Sequence, residues 1–258
     1  MGEELWRGQW GRIIFGPVRQ TSDGGYIIAG DTRSYGAGRF DVWLVKTDSK
    51  GVEEWNRTYG EDKNDEAYFV QQTTDGGYIL VGSTGSYGHG WYDAWLIKAD
   101  SNGVEEWNRT YGDPDVAERA YSVLQTTDGG YIVVSSSRSS GSLEEGIIPR
   151  VGIWLLKTDA DGDEEWIKTF GCEDLYDDEF NYLEEVMFIE ERSIVQQTSD
   201  GGYVFTAFKP IGSLDEGHTD AVLVKIKPET STPGFEIFTA ISSATIIAVI
   251  LILRKRRV

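Results

Sequence analysis

The stretch DGGYIIAGDTRSYGAGRFDVWLVKTDSKGVEEWNRTYG (23–60) returns almost unchanged as DGGYILVGSTGSYGHGWYDAWLIKADSNGVEEWNRTYG (75–112). Its opening DGGY occurs twice more, at 128–131 and 200–203, so the chain holds four copies of one unit of about 50 residues. Each copy has the same order: a polar-ended run before DGGY, an apolar run after it, and a Gly/Ser stretch. A second apolar run, DVWLVKTD or a relative, follows, and then a short turn and EEWNRTYG or EEWIKTFG. Asp-Gly and Gly-Gly supply the positive φ angles of a tight hairpin, so DGG joins two antiparallel strands. The apolar run after it shows no alternation, as expected of a strand covered on both faces. EEWNRTY alternates, with Trp55, Arg57 and Tyr59 on one face and Asn56 and Thr58 on the other, the mark of an outer strand with one wet side.

Four strands per unit of this length predict an all-β chain: a β-propeller-like array of four four-stranded blades over residues 1–227, in units at about 3–52, 53–104, 105–163 and 164–227. EELWRGQW near the start resembles the last strand of a unit, and the fourth unit stops at KIKPETS without one. The N-terminal strand is therefore expected to complete the fourth blade and remove an exposed edge. A ring closed by another chain, or a piece of a longer array, are the alternatives.

The combination DGGY, G-x-D-x-W-L-x-K-x-D-x-x-G and W-x-x-T-[YF]-G resembles the repeats of archaeal and bacterial cell-surface proteins over about residues 3–227. That resemblance implies a surface-exposed propeller with unassigned ligands. The third unit has Gly152 where the others have Asp41, Asp93 and Asp220, and the fourth has Val222 where the others have Trp43, Trp95 and Trp154.

After a linker at 228–234, residues 235–258 read as a C-terminal transmembrane segment. Residues 237–253 carry no charge, enough for about 26 Å of helix, and Arg254, Lys255, Arg256 and Arg257 follow as a cytoplasmic stop. Pro233, Gly234 and Phe235, then the apolar run, then the basic cluster resemble the PGF-type sorting signal of archaeal surface proteins. The resemblance implies removal of the tail and attachment to a membrane lipid, with the repeats extracellular. MGEELWRGQW has no secretion signal, so the expectation is that the natural chain begins further upstream.

Composition excludes some chemistry. A net charge of -19 argues against nucleic acid, which needs a basic face. One cysteine, Cys172, rules out intrachain disulfides and thiolate metal clusters, and two histidines leave few transition-metal ligands. Adjacent cysteines of one class of quinone-dependent dehydrogenase are missing, and the turns read Asp-x-x-Gly, one residue longer than a sialidase Asp box.

Asn56 and Asn108 head Asn-x-Thr glycosylation sequons at equivalent positions. Asp159, Asp161 and Asp163 form an oxygen-rich turn that is the candidate for Ca²⁺, although no cofactor is otherwise expected. The insertion CEDLYDDEFNYLEEVMFIEE (172–191) is the strongest break in the repeat, and Glu173, Asp174, Asp177, Asp178 and Glu179 make it the expected ligand loop. No catalytic set stands out. The functional expectation is a non-catalytic extracellular propeller that meets glycans or envelope proteins. The alternative is a surface hydrolase acting on polysaccharide through propeller-face carboxylates.

Overall fold

In a computed structural model the described residues are 14–139, 150–174, 193–210, 219–226 and 235–240. They form sixteen strands and no helix, arranged as four antiparallel four-stranded sheets in simple meander order. The first sheet holds β1 (Ile14–Gln20), β2 (Tyr26–Thr32), β3 (Asp41–Thr47) and β4 (Glu53–Tyr59). The second holds β5 (Asp65–Gln72), β6 (Tyr78–Thr84), β7 (Asp93–Ala99) and β8 (Glu105–Tyr111). The third holds β9 (Val116–Gln125), β10 (Tyr131–Ser139), β11 (Arg150–Thr158) and β12 (Glu164–Asp174). The fourth holds β13 (Val195–Gln197), β14 (Tyr203–Pro210), β15 (Thr219–Ile226) and β16 (Phe235–Ala240). Each sheet thus runs from the strand before DGG to the strand after the second turn, one strand out of step with the units at 3–52 and onward.

Two sheets form each of two units, Met1–Pro114 and Asp115–Val258. In the first unit Ile27, Ala29, Val42 and Leu44 of the first sheet pack on Tyr78, Leu80, Trp95 and Ile97 of the second. In the second unit Ile132, Val134, Ile153 and Leu155 pack on Tyr203, Phe205, Val224 and Ile226 in the same manner. This repeated packing is the reason the apolar runs lack alternation. Both faces of β6 and β7 are buried along their whole length. The outer strand β4 is wet, with Glu53, Glu54 and Asn56 exposed.

The two glycines of each DGG turn serve different ends. Only the first takes a positive φ, at 86°, 85°, 90° and 81° for Gly24, Gly76, Gly129 and Gly201. The second is needed for space: a β-carbon at Gly77 would lie 2.4 Å from the Ala99 carbonyl oxygen and 2.7 Å from Lys98 Nζ. The expectation that both supply positive φ is corrected here.

The edge of β15 is occupied by β16, in register from Ile226↔Phe235 to Ala221↔Ala240. Phe235–Ala240 therefore stands where EELWRGQW was expected. The chain directly after β15 returns on its neighbour, as it does in the other three sheets, and satisfies the open row of backbone groups. The N-terminal residues 1–13 lie outside the described residues. Among the described residues no helix is long and apolar enough to cross a membrane, and 241–258 lie outside them.

Candidate functional site

The hairpin-turn end of each sheet is held by a repeated polar cluster. Lys46, 3% exposed, bonds Asp23 at 2.9 Å, Glu54 at 2.8 Å and the Thr47 carbonyl at 2.9 Å. Lys98 does the same with Asp75 and Glu106, and Lys157 with Asp128 and Glu165. A β-bulge makes this possible. Lys46 pairs with Trp55 and Thr47 with Glu53, so Glu54 is the extra residue, re-aimed at the ammonium. Burial pushes the Asp75 carboxyl up, but Thr73, the Lys98 ammonium and the Gly77 N–H together outweigh it and hold it down at about 2. Burial pulls Lys46 down, but Glu54 and Asp23 outweigh it and leave the ammonium above its ordinary range. These clusters are internally satisfied and structural.

The other end of the sheets in the first unit is different. Here Phe40 and Asn64 form a parallel bridge, with Arg39 N–H donating to the Lys63 carbonyl and Gly85 N–H to the Asn64 carbonyl. The Gly/Ser loops before β3 and β7 and the β4–β5 link are thereby woven into one surface. It contains an open cleft of about 420 Å³ lined by Arg39, Asp62, Lys63, Asn64, Trp91 and Tyr92. Trp91 is 79% exposed, the most open large apolar side chain among those described. Asn64 Nδ2 donates to the Tyr92 hydroxyl at 3.0 Å, while Asn64 Oδ1 is buried and has no hydrogen-bond partner. The cleft thus offers an indole face and two cationic side chains. Asp62 is the single carboxylate among its lining residues.

Beneath this surface lie Asp41 and Asp65, at the starts of β3 and β5, 1% and 0% exposed. Asp65 is saturated: Oδ1 accepts from Thr84 Oγ1, and Oδ2 from Ser86 Oγ at 2.6 Å and Glu61 N–H at 3.1 Å. Asp41 Oδ2 accepts Gly38 N–H at 3.0 Å, and its Oδ1 accepts nothing. Burial pushes the Asp41 carboxyl above its usual range, and the Asp65 charge adds to the effect against the Gly38 N–H.

Those residues expected to carry function that are among the described residues are not in the lining of this cleft. Asn56 and Asn108 lie on outer strands, where each Oδ1 accepts from a tryptophan, Trp43 at 3.4 Å and Trp95 at 3.3 Å. Their Nδ2 groups donate to Glu53 and Glu105 at 2.6 and 2.7 Å. Asp159 Oδ1 accepts the N–H groups of Asp161 and Asp163, both at 2.9 Å, as Asp48 and Asp100 do in their own turns. Its carboxylate thus caps a hairpin turn, and no group of three or more ligand-type side chains suited to a metal occurs among the described residues. Glu173 and Asp174 end β12, paired with Val151 and Arg150. Asp177, Asp178 and Glu179 lie outside the described residues, as do Pro233 and Gly234, while Phe235 opens β16.

Sequence reasoning passed over Trp91, Tyr92 and Asn64. A signal was available: in two nearly identical copies Trp91 stands where the first has Arg39, and an indole in a Gly-rich loop has no core to fill. No known protein family matches the chain, and no curated protein is significantly similar to it.

Proposed function

We propose that this chain is the extracellular, non-catalytic binding part of a cell-surface protein and that the cleft at Trp91 takes carbohydrate. The observation that carries the reading is the 79%-exposed indole of Trp91 in an open cleft that it shares with the polar side chains of Arg39, Asp62 and Lys63. Sugar rings present apolar C–H faces for an aromatic surface and hydroxyls for the polar side chains beside it. A volume of about 420 Å³ falls within the usual range for small-ligand sites. Arg39 and Lys63 favour sugars that carry a carboxylate, in a chain whose net charge is otherwise -19. Hydrolysis is the weaker reading, because glycoside cleavage uses two carboxylates flanking the bond and the cleft lining has Asp62 alone.

The test is a glycan array probed with the soluble repeats and with Trp91→Ala. Wild type is expected to select saccharides, and the variant to lose at least tenfold in affinity, about 1.4 kcal/mol, with its fold unchanged. An array blank for wild type, or equal binding by both proteins, overturns the reading.

In this proposal the four sheets are the blades of a propeller and residues 237–253 anchor it to the membrane, with any lipid attachment following the PGF-type signal. Strand β16 competes with that anchor. If residues 237–240 stay in the sheet, the thirteen uncharged residues left before Arg254 span about 20 Å as a helix, short of the ~30 Å hydrocarbon core. Edge strand and anchor are therefore alternative uses of the same residues. In the anchored form the edge of β15 falls to EELWRGQW. Chains ending at residue 234, with and without residues 1–13, distinguish the two: amide protection of β15 that survives only when 1–13 are present supports the exchange. Protection lost in both excludes it.

A further inference from the structure

We propose that Asp41 and Asp65 hold a calcium ion between the first and second sheets, a site independent of the glycan reading. Two fully buried carboxylates face one another here with no ion pair to either among the described residues. Burying like charges together is costly unless a counter-charge or a proton joins them. Their geometry supplies a cradle. A β-carbon at Gly60, whose φ is 137°, would lie 2.5 Å from Asp41 Oδ1 and 2.6 Å from Asp65 Oδ2. Both oxygens therefore pack against the same glycine, within about 5 Å of each other, close enough for one ion to bridge them.

Backbone oxygens border the same region. A β-carbon at Gly38 would meet the Glu61 carbonyl oxygen at 2.1 Å, the Lys63 carbonyl oxygen at 2.3 Å and Asp41 Oδ1 at 3.3 Å. Carboxylates mixed with carbonyls and completed by water are the donor set of calcium, which takes six to eight oxygens.

The orphan oxygen is also systematic. In the second sheet Asp93, 2% exposed, accepts His89 N–H on Oδ2 at 2.6 Å and again leaves Oδ1 buried and unpartnered. The same carboxylate in two copies of the repeat is held by its own loop through one oxygen and leaves the other free. Where the third unit has Gly152, the donor is gone.

Isothermal titration of the calcium-stripped chain with Ca²⁺, together with thermal unfolding in Ca²⁺ and in chelator, tests the site. Wild type is expected to bind calcium and to unfold roughly 5 °C higher when it is saturated. Asp41→Asn is expected to lower the number of bound ions by one. Asp115→Asn, at an exposed position just before β9, should leave both readouts as in wild type. No calcium binding by wild type overturns the proposal, as does an unchanged stoichiometry in Asp41→Asn. If Asp41→Asn fails to fold, the wild-type titration still decides. Should wild type ignore calcium while Asp41→Asn melts higher at neutral pH, a buried proton is the relief and the proposal fails.

Discussion

At one end of the first two sheets Lys46 and Lys98 each join two carboxylates and a backbone carbonyl, while at the other end Asp41 and Asp93 each keep a buried oxygen without a partner. The turn end is copied faithfully through the chain, down to the Thr–Asp bond of Thr21, Thr73, Thr126 and Thr198. The loop end changes from copy to copy: Arg39 becomes Trp91, Phe40 becomes Tyr92, and the aspartate becomes Gly152. Where every polar group is satisfied from within, substitution costs stability and the repeat stays fixed. Where the loops carry no such network, their exposed positions are free to differ from copy to copy.

The contrast breaks most visibly at the second glycine of the turn. Gly77→Ala puts a β-carbon 2.4 Å from a carbonyl oxygen and 2.7 Å from Lys98 Nζ. The strand pairing and the ion cluster must both shift, and the expected loss is about 3 kcal/mol or more in denaturant unfolding. An alanine tolerated at Gly77 would mean that the lysine cluster contributes little.

Lys98→Met addresses the cluster itself. Removing a buried ammonium from its partners costs several kcal/mol where they are equally buried. Asp75 and Glu106 are 57% and 47% exposed and regain water, so about 2 kcal/mol is expected. Acid should act on the same end. A carboxyl held at about 2 in the folded chain, against 3.8 ordinarily, stabilises at neutral pH and loses that contribution as pH falls from about 4 toward 2. Asp23, Asp128 and Asp200 are lowered likewise, so the four turns weaken together. Asp41 has the opposite sign. Its raised carboxyl contributes most below its ordinary range and loses that contribution as pH rises. Melting temperatures from pH 2 to 7 for wild type and Asp41→Asn, in chelator, separate the two ends. A wild-type profile flat below pH 4 contradicts the turn-end account.

Much of the turn end was legible in the sequence, because its logic is local. DGG announces a hairpin, the uninterrupted apolar run announces a strand covered on both faces, and the alternation of EEWNRTY announces the outer strand. The role of Lys46, Lys98 and Lys157 was hidden, since it needs a bulge that no spacing reveals and a glycine whose duty is to be small. The loop end was hardly legible. Arg39, Asn64 and Trp91 come from three loops and meet only through a parallel bridge, and an orphan oxygen on Asp41 is a property of packing. Phe235–Ala240 reads equally well as a strand or as the start of an apolar span, because six residues satisfy either pattern.

Gly76→Ala should have a smaller effect than Gly77→Ala, although the two glycines are adjacent. No atom lies within 4 Å of the added β-carbon, and the remaining cost is the left-handed backbone at φ 85°, about 1 kcal/mol. Measured beside Gly77→Ala, it separates the two duties of one dipeptide. If the order of the two were reversed, conformation and not space would govern the turn.

The smallest effect belongs to Trp91→Ala. An indole 79% exposed buries little area, so its truncation should move stability by less than about 0.5 kcal/mol, although tryptophan is the largest side chain in the chain. The same change at Trp95, 1% exposed and packed in the core, would cost about 3–5 kcal/mol. Four residues apart in sequence, the two tryptophans are thus separated by function: one is held by the fold and the other is presented by it. A destabilisation at Trp91 close to that at Trp95 would mean that its loop is part of the fold, and the cleft would lose its standing as a site kept open for a ligand.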